Sequence, residues 1–385
     1  MKIPNKMNEE IESLKAESSD VWLARAPGRV EVLGNHTDYN SGLVMAATIN
    51  RFVWSAGFSS DDVDIKSLDF DECTQFSPRG LRSNDDLQWD SYVRGVFWAL
   101  ERRRHAVNGL TGIIHGDVPV GAGLSSSAAL EVALVNLITT ASGIILNPKA
   151  AAMIAFEAER LYCGVSCGVM DQFTSQLGEP NSVLAIKCFN LQTKSVRLSP
   201  KAKVVIVDSK VTRASGDVLN ERRIECLSAL KQLNESGMDL RNLSEITRDQ
   251  IDNVDEVLDE VLAKRVRHVV FENSRVREGI DALEQQDLRR FGVLLYESHQ
   301  SSRDLYEVSH PKLDALVEIA RSHKGVYGSR LTGAGLGGAT LSLVAEEYAD
   351  MFSKEVSEAY EAQMGEKPDV YVADIPGGVV TERIG

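Results

Sequence analysis

The 385-residue sequence lacks the features that mark membrane, secreted or nucleic-acid-binding proteins. No apolar run reaches the ~18 residues that a membrane span needs, and residues 1–20 contain no apolar core of a signal peptide. The sequence has no long basic block, and its net charge of −14 opposes binding to phosphate backbones. We therefore expect a cytoplasmic protein, a monomer or weak oligomer, with no membrane or nucleic-acid partner.

Cysteine is too rare and too scattered to build a disulfide framework. The chain has five cysteines, and the odd number argues against complete pairing. Cys163 and Cys167 are four residues apart and would share one face if the segment were helical, which is one feature of a metal site. Structural zinc normally takes four ligands, however, and no second Cys or His pair has a matching spacing. Buried thiols are the better interpretation.

Internal repeats and low-complexity tracts are also absent. The length exceeds one ordinary core and predicts two domains, residues 1–200 and 201–385, with the boundary between about 190 and 215. Residues 217–321 alternate charged and apolar side chains at helical spacing, for example in 255–262 and 280–295, which predicts a mostly helical stretch. Predicted strands are residues 21–26 (ended by a Pro27-Gly28 turn), 111–115, 182–186, 203–207, 326–331, 339–344 and 369–372, and predicted helices of the first half are 126–140 and 150–162.

The segment 26–42 concentrates residues suited to a ligand rich in hydroxyl groups. Asn35, His36 and Asp38 supply donors and acceptors close together, and Arg29 supplies a planar cation suited to phosphate. The competing interpretation is a polar surface hairpin in which Asn, Asp and Gly only form turns. Composition alone leaves both interpretations open.

The segment 116–129 has the composition of a phosphate-binding loop. Gly121 and Gly123 allow close backbone approach, and the serines at 125–127 lead into a predicted helix whose first N–H groups are unpaired. No Lys-Ser or Lys-Thr pair follows the glycines, so this is not a Walker A loop. A serine N-cap after a glycine turn is the competing interpretation.

A third loop, residues 328–338, is rich in glycine. Gly333, Gly335 and Gly338 match the Gly-x-Gly-x-x-Gly pattern of dinucleotide-binding folds. That fold needs a helix directly after the glycines, whereas a predicted strand follows at residue 339. A glycine-lined wall that another element approaches closely is the better interpretation.

Asp171 stands just after an apolar run and at the start of a possible helix. An aspartate in this position is commonly a helix N-cap. Beside a phosphate loop it would instead serve as a general base for a nucleophilic hydroxyl.

Taken together, these segments resemble the galactokinase branch of the GHMP kinase family. Gly-Asn-His-Thr-Asp-Tyr-Asn at 34–40 is similar to the galactokinase signature, and residues 119–128 to the family's phosphate loop. Thr-Gly-Ala-Gly-Leu-Gly-Gly at 332–338 is similar to the family's third motif, and residues 89–95 and 167–172 are further matches. The motifs occur in family order over most of the chain, which makes chance agreement improbable.

The resemblance implies a two-domain α+β fold with the active site in the cleft between the domains. The N-terminal domain would be ribosomal-S5-like and the C-terminal domain ferredoxin-like with added helices. ATP and Mg²⁺ would be the cofactors, and the product would be galactose 1-phosphate, formed by phosphorylation of the anomeric C1 hydroxyl of galactose. The implied site residues are Asp171 as proton acceptor and Arg29 as charge-neutralising cation; Asn35, His36, Thr37, Asp38 and Gly168 around the sugar; Gly121, Ala122, Gly123, Leu124, Ser125, Ser126 and Ser127 around the triphosphate; and Ser127 with Glu159 on the metal.

Two positions depart from the family pattern on the sugar side. Galactokinases usually have Glu where Asn35 stands, a side chain associated with the C6 hydroxyl, and a Tyr where Leu219 stands. An amide can donate hydrogen bonds and does not repel an anion, unlike a carboxylate. We therefore hypothesise tolerance of a galactose relative altered at C6, such as a uronic acid or a deoxy sugar, with galactose as the leading substrate. Alternatives are a kinase for N-acetylgalactosamine, arabinose or galacturonate, and a non-catalytic sugar sensor.

Overall fold

The computed structural model of the protein describes residues 3–83, 87–212 and 217–385. Strands dominate the first quarter of the chain, helices the stretch from 217 to 322, and strands return from 326 onwards. The strands are β1 (Trp22–Leu33), β2 (Leu43–Ser60), β3 (Val63–Ser67), β4 (Glu72–Phe76), β5 (Gly109–Gly116), β6 (Ser182–Lys187), β7 (Gln192–Arg197), β8 (Ala202–Asp208), β9 (Val326–Leu331), β10 (Ala339–Ala345), β11 (Asp369–Ala373) and β12 (Val380–Arg383). The α-helices are α1 (Asn8–Glu17), α2 (Trp89–Arg102), α3 (Ser126–Ala141), α4 (Pro148–Glu157), α5 (Met170–Leu177), α6 (Asp217–Glu235), α7 (Ile251–Val257), α8 (Glu260–Glu284), α9 (Leu288–Asp304), α10 (Pro311–Ser322) and α11 (Ala349–Met364).

The described strands form two sheets. Eight of them form the first sheet in the order β12-β1-β2-β5-β3-β4, with β6 paired to β2 and to β7. The other four form the second sheet in the order β11-β8-β10-β9. Because β12 pairs with β1, placing Trp22 opposite Arg383, residues from the end of the chain complete the first sheet.

The predicted division at residue 200 falls just before β8, which opens the second sheet. The return of β12 to the first sheet means that the sheets do not divide the chain at a single point. The boundary segment predicted from the sequence, 190–215, extends to residues 213–215, which lie outside the described residues. The two-domain division therefore stays a prediction.

Strand β1 continues through the Pro27-Gly28 pair, so the turn predicted there is wrong. The strand runs on to Leu33, and its register with β2 shifts between Pro27 and Arg29. Such an irregularity accommodates a proline, which has no N–H to donate. A Cβ at Gly28 would lie 2.7 Å from the carbonyl oxygen of Leu124, so the strand can pass the phosphate loop closely only with glycine here.

Two predicted helical patterns are each interrupted by a cap. Asp259 accepts a hydrogen bond from the Leu262 amide at 2.9 Å and starts α8 anew within the pattern at 255–262. Asp287 does the same for α9 by accepting from the Arg290 amide, again at 2.9 Å. An aspartate that accepts hydrogen bonds from the free N–H groups of a first helical turn stabilises the start of a new helix at that position. Each apolar pattern is therefore divided between two helices.

The remaining sequence-based elements are largely confirmed. Each of the other predicted strands lies within β5, β6, β8, β9, β10 or β11, and the predicted helix 126–140 lies within α3. The predicted helix 150–162 corresponds to α4 followed by one π-helical turn, Ala158–Tyr162. All five cysteines are free thiols, and no described helix is long and apolar enough to cross a membrane.

Helix α3 fixes the position of the predicted phosphate loop. Its side chains from Ala128 to Ile138 are mostly apolar and buried in the main core, against β1, β2 and the neighbouring helices. A helix that is apolar on nearly all sides is held from every direction. The N-terminus of α3, and the serines that begin it, are therefore rigidly placed beside β1.

Candidate active site

A cavity of about 740 Å³ brings together most of the residues implicated by the sequence. Thr37 and Ala122 are not on its wall. The Thr37 hydroxyl lies 2.8 Å from the Gly34 carbonyl and 2.6 Å from the Leu43 carbonyl, and Ala122 packs in the hydrophobic core. The predicted residues on the wall are Arg29, Asn35, His36, Asp38, Gly121, Gly123, Leu124, Ser125, Ser126, Ser127, Glu159, Gly168 and Asp171.

Arg29 and Asp171 form a two-point ion pair at the centre of this cavity. Arg29 donates from Nε to Asp171 Oδ1 at 2.8 Å and from Nη2 to Oδ2 at 2.7 Å. Its third nitrogen, Nη1, donates to the Gly123 carbonyl at 2.6 Å, which ties the guanidinium to the phosphate loop. The side chain of Asp171 is 23% exposed, against 5% for Arg29, so the carboxylate is the member of the pair that faces the open cavity.

The two N-cap interpretations do not describe these residues. Ser125 occupies the N-cap of α3 with φ 62°, but its hydroxyl makes no capping bond and donates to Asp171 Oδ2. Asp171 lies inside the first turn of α5, whose N-cap residue is Val169. Both side chains point to each other and to the cavity, which leaves them available for a ligand.

A second carboxylate cluster lies at the start of α3. Ser127 donates to Glu159 Oε1 at 2.7 Å, and Gln172 donates to Glu159 Oε2 at 2.5 Å. Burial, and after it the charge of Asp171, raises the pKa of Glu159 to about 7. Gln172 also donates to Glu131, and burial raises the pKa of that second carboxyl well above its usual value. Among the described residues no group of three or more His, Cys, Asp or Glu side chains is arranged to hold a metal.

Asp38 and Gly168 are packed against each other. A Cβ at Gly168 would lie 1.8 Å from Asp38 Oδ2, so a side chain at residue 168 would displace the carboxylate. Burial, followed by the negative charge of Asp171, raises the pKa of Asp38 to about 6. The hydrogen bond from the Tyr39 amide, at 2.9 Å, opposes that rise and fixes one carboxylate oxygen.

Side chains of helix α8 form hydrogen bonds with the backbone of the loop at Asn35. Glu272 of α8 accepts from the amides of Gly34 and Asn35 at 3.0 and 3.3 Å. His268, one helical turn earlier, lies 2.8 Å from the Asn35 carbonyl through Nε2. The neighbouring Arg275 offsets burial and holds the pKa of Glu272 well below its usual value. A buried, charged acceptor thus fixes the loop that forms one wall of the cavity.

His36 connects the same loop to the third glycine-rich loop. Its Nε2 lies 3.1 Å from the Ala334 carbonyl and its Nδ1 lies 2.9 Å from the Tyr39 hydroxyl. Its ring stacks on Tyr306 with centroids 4.8 Å apart. Both ring nitrogens are therefore within hydrogen-bond distance of protein atoms, which fixes the ring orientation.

The third loop is a glycine-lined wall, as the sequence predicted. Gly333 and Ala334 line the cavity, and a Cβ at Gly335 would lie 2.1 Å from the Val308 carbonyl oxygen. Strand β10 begins at Ala339 directly after the loop, so the helix that a dinucleotide-binding fold requires does not follow.

Several residues on the cavity wall were not among the predicted site residues. Glu31 follows Arg29 by two positions on β1, and that spacing on a strand was the signal that could have found it. Arg223 of α6 is another, one helical turn from Leu219, the position that the sequence already assigned to the sugar side and that also lines the cavity. The wall also includes apolar and aromatic side chains, namely Phe70, Leu87, Trp89, Tyr92, Ile114, Val118 and Pro119.

Comparison with known proteins identifies the family. Residues 91–179 match the model for the GHMP kinases N terminal domain, residues 280–362 the GHMP kinases C terminal model, and residues 12–57 the galactokinase galactose-binding signature. A galactokinase of Roseiflexus sp. is 40% identical over 93% of this chain and 92% of its own length. The chain belongs to the galactokinase family.

Further relatives agree with this family and with the predicted fold class. A galactokinase of Clostridium acetobutylicum is 35% identical over 98% of this chain and 99% of its own. The crystal structure of Lactococcus lactis galactokinase complexed with galactose superposes with a TM-score of 0.93 at 31% identity, covering 97% of this chain and 98% of that one. A mevalonate kinase with 18% identity and a TM-score of 0.66 shares the fold. The predicted α+β GHMP kinase architecture is confirmed, and the protein is a phosphotransferase of this kinase family.

Proposed function

We propose that the protein transfers the terminal phosphoryl group of ATP to the anomeric C1 hydroxyl of galactose, forming galactose 1-phosphate and ADP. The observation that carries this proposal is the Arg29–Asp171 pair, placed in one cavity between the serine loop at 125–127 and Asp38. The names of the relatives point to galactose as the acceptor. We also propose that the enzyme works in the cytoplasm, where ATP is abundant, as a monomer or weak oligomer.

ATP would bind with its phosphates at the N-terminus of α3. Free backbone N–H groups and the helix dipole favour an anion there, and Gly121 and Gly123 leave room for it. Trp89 and Tyr92 on the cavity wall offer flat surfaces on which an adenine ring could stack. The terminal phosphate would lie beside Arg29, whose Nη1 donates to the Gly123 carbonyl of the same loop.

The chain also offers a fitting place for Mg²⁺. Ser127 Oγ and Glu159 Oε1 are 2.7 Å apart beside the phosphate loop and line the cavity, and both are the oxygen ligands that Mg²⁺ prefers. Two protein ligands suffice, because this ion commonly completes its shell with phosphate oxygens and water. When bound, Mg²⁺ would offset the negative charge of the phosphates.

Asp171 would orient the sugar hydroxyl and accept its proton. Arg29 and Ser125 hold the two carboxylate oxygens in place, so the acceptor needs no reorganisation when the hydroxyl attacks. Arg29 adds a positive charge beside the transferring phosphoryl group, and Asp38 supplies an acceptor for a further sugar hydroxyl. Phosphoryl transfer depends mainly on such positioning and charge neutralisation.

The test is sugar-dependent ADP release with galactose, arabinose and N-acetylgalactosamine as acceptors. We expect galactose to be preferred, and Asp171→Ala to lower kcat by at least roughly 100-fold. Asp208→Ala, outside the cavity wall on β8, is the matched control and should retain activity. Undiminished turnover in Asp171→Ala would overturn the proposed catalytic centre. Galactose binding without any ADP release in the wild type would instead indicate a sensor.

A further inference from the structure

The side chain of Asn35 has no hydrogen-bond donor left for a sugar. Its amide nitrogen lies 3.1 to 3.2 Å from the two carboxylate oxygens of Glu31 and 2.9 Å from the Gly333 carbonyl, which uses both N–H bonds. Its Oδ1 accepts from the Ser302 hydroxyl at 2.8 Å. An amide has two N–H donors and two acceptor lone pairs, so one lone pair remains. The N–H groups of Asn35 that could donate to an anionic group at C6 are therefore already bonded to protein atoms.

The carboxylate that Asn35 contacts belongs to Glu31, which is 2% exposed and lines the cavity. In the described part of the chain, the hydrogen bonds to its carboxylate oxygens come from Asn35 alone. Nη2 of Arg330 is 3.8 Å away, which offsets charge without a hydrogen bond. Since a carboxylate has about four lone-pair sites, Glu31 keeps acceptor capacity on the cavity side.

Glu31 is held two residues from Arg29 on the same strand. It follows Arg29 on the same face of β1, and their pairing with Thr48 and Ala46 of β2 is regular between these positions. Two residues of a strand span ~6–7 Å, roughly the distance from the anomeric hydroxyl of a hexose to its hydroxymethyl group. The Thr332 hydroxyl accepts from the Glu31 amide at 2.8 Å and lies 3.0 Å from its carbonyl, which holds the residue in place.

We propose that Glu31 is a specificity-determining residue, whose carboxylate, oriented by Asn35, accepts a hydrogen bond from the C6 hydroxyl of the sugar and repels sugars that carry a carboxylate there. The proposal rests on the proposed function. In this chain the carboxylate that galactokinases usually have at position 35 stands four residues earlier on β1, with an amide in its place. The enzyme therefore discriminates against galacturonate in spite of Asn35, and most strongly above pH 7, because burial raises the pKa of Glu31 to about 7.

The test compares kcat/KM for galactose, 6-deoxygalactose and galacturonate at saturating ATP in wild type and Glu31→Gln. We expect the wild type to prefer galactose over both others. Glu31→Gln should lower kcat/KM for galactose roughly tenfold, because a charge-assisted hydrogen bond becomes a neutral one. The substitution should leave kcat/KM for 6-deoxygalactose unchanged. It should raise the ratio of kcat/KM for galacturonate to that for galactose by more than tenfold, and the KM for ATP should not change.

2-Deoxygalactose is the matched control sugar, because it keeps the C6 hydroxyl and lacks the one beside the reacting carbon. The ratio of its kcat/KM to that of galactose should be the same in wild type and Glu31→Gln. An equal fall in kcat/KM for every sugar would mean a purely structural role for Glu31 and overturn the proposal. If Glu31→Gln does not fold, Glu31→Asp decides by the same comparison, since a shortened carboxylate should lose galactose activity but not 6-deoxygalactose activity. Absence of galactose phosphorylation in the wild type would reject the proposed function itself, a distinguishable result.

Discussion

Glu159 lies where burial and the charge of Asp171 both favour its protonated form. Its pKa is raised to about 7, although hydrogen bonds from Ser127 and Gln172 stabilise the charged carboxylate. A metal needs that charged form, because Mg²⁺ and the proton compete for the same oxygens. The acidity of one side chain thus controls how readily the proposed metal site fills.

We predict that the Mg²⁺ concentration giving half-maximal activity rises as the pH falls from 8 to 6. The carboxyl is charged above its pKa of about 7 and neutral below it, so the required Mg²⁺ should change little above that pH. Below it, the requirement should rise by up to about tenfold for each pH unit. The measurement is a Mg²⁺ titration of initial rate at three pH values with ATP held constant.

Glu159→Gln is the control for this prediction. The amide cannot titrate, so the variant should need more Mg²⁺ at every pH and show only the dependence that comes from ATP itself. Identical pH dependence in wild type and variant would place the titrating group elsewhere.

At the residue scale, the sequence indicated which side chains are chemically suited to a site more reliably than it indicated which atoms those side chains contact. Arg29 and Asp171 could be singled out from the sequence because their segments resemble the motifs of one kinase family, and the structure pairs the two side chains. The occupied donors of Asn35 were not, since their partners Gly333 and Ser302 are far away in sequence. Only the fold determines which hydrogen-bonding groups are already satisfied.

At the scale of elements, α9 and β9 are held together by two glycines that face each other. A Cβ at Gly292 would lie 2.0 Å from the Tyr327 carbonyl oxygen, and one at Gly328 would lie 2.1 Å from the Gly292 carbonyl oxygen. The close approach brings backbone against backbone, which no side-chain rotation can relieve. Strand β9 leads directly into the third glycine-rich loop, so this packing also positions Gly333 and Ala334.

Gly292→Ala should destabilise the protein by about 1–3 kcal/mol, because α9 must move away from β9. Helix propensity alone predicts the opposite sign, a gain of about 1 kcal/mol for alanine within a helix. Urea unfolding measures the difference. Gly95→Ala in α2, where the nearest atom to the new Cβ is 3.2 Å away, is the comparator and should be nearly neutral. A Gly292→Ala protein as stable as the wild type would contradict this packing argument.

The elements themselves differ in how clearly the sequence shows them. Strand β10 is a largely apolar run that begins directly after the glycines of the third loop, and the predicted limits of β9 and β10 agree with the structure to within a residue. Strand β2 was not predicted, because Asn50 and Arg51 interrupt its apolar pattern midway through eighteen residues. Pairing with β1 and β5 stabilises it in spite of these residues, and pairing between distant segments is not visible in local sequence.

At the scale of the whole molecule, the segment after residue 377 joins the two ends of the chain. Strand β12 pairs with β1, and the Val379 amide donates to the Ser175 carbonyl at 3.0 Å. Ser175 belongs to α5, the helix that carries Asp171. The end of the chain therefore supports both elements that hold the Arg29–Asp171 pair.

Removal of residues 379–385 should lower the free energy of unfolding by about 2–4 kcal/mol, from the loss of several backbone hydrogen bonds of about 1 kcal/mol each. Activity at elevated temperature should fall with it. Thermal unfolding of the truncated chain tests this expectation. Val380→Thr is the control, because the side chain is 42% exposed and the backbone pairing is kept. Unfolding of the truncated protein at the wild-type temperature would show that β12 contributes nothing.

Strand β1 is synthesised long before β12, its partner at the edge of the sheet. Trp22 and its partner Arg383 are 361 positions apart (383 − 22), so a ribosome adding about 5–20 residues per second makes them roughly 20–70 s apart. Throughout that interval the outer edge of β1 has no partner from its own chain, and an open strand edge is a template for pairing with other nascent chains. Strand β12 thus also covers the edge of β1 from Trp22 to Arg25 with a strand of only four residues, and it does so only as translation reaches residue 383.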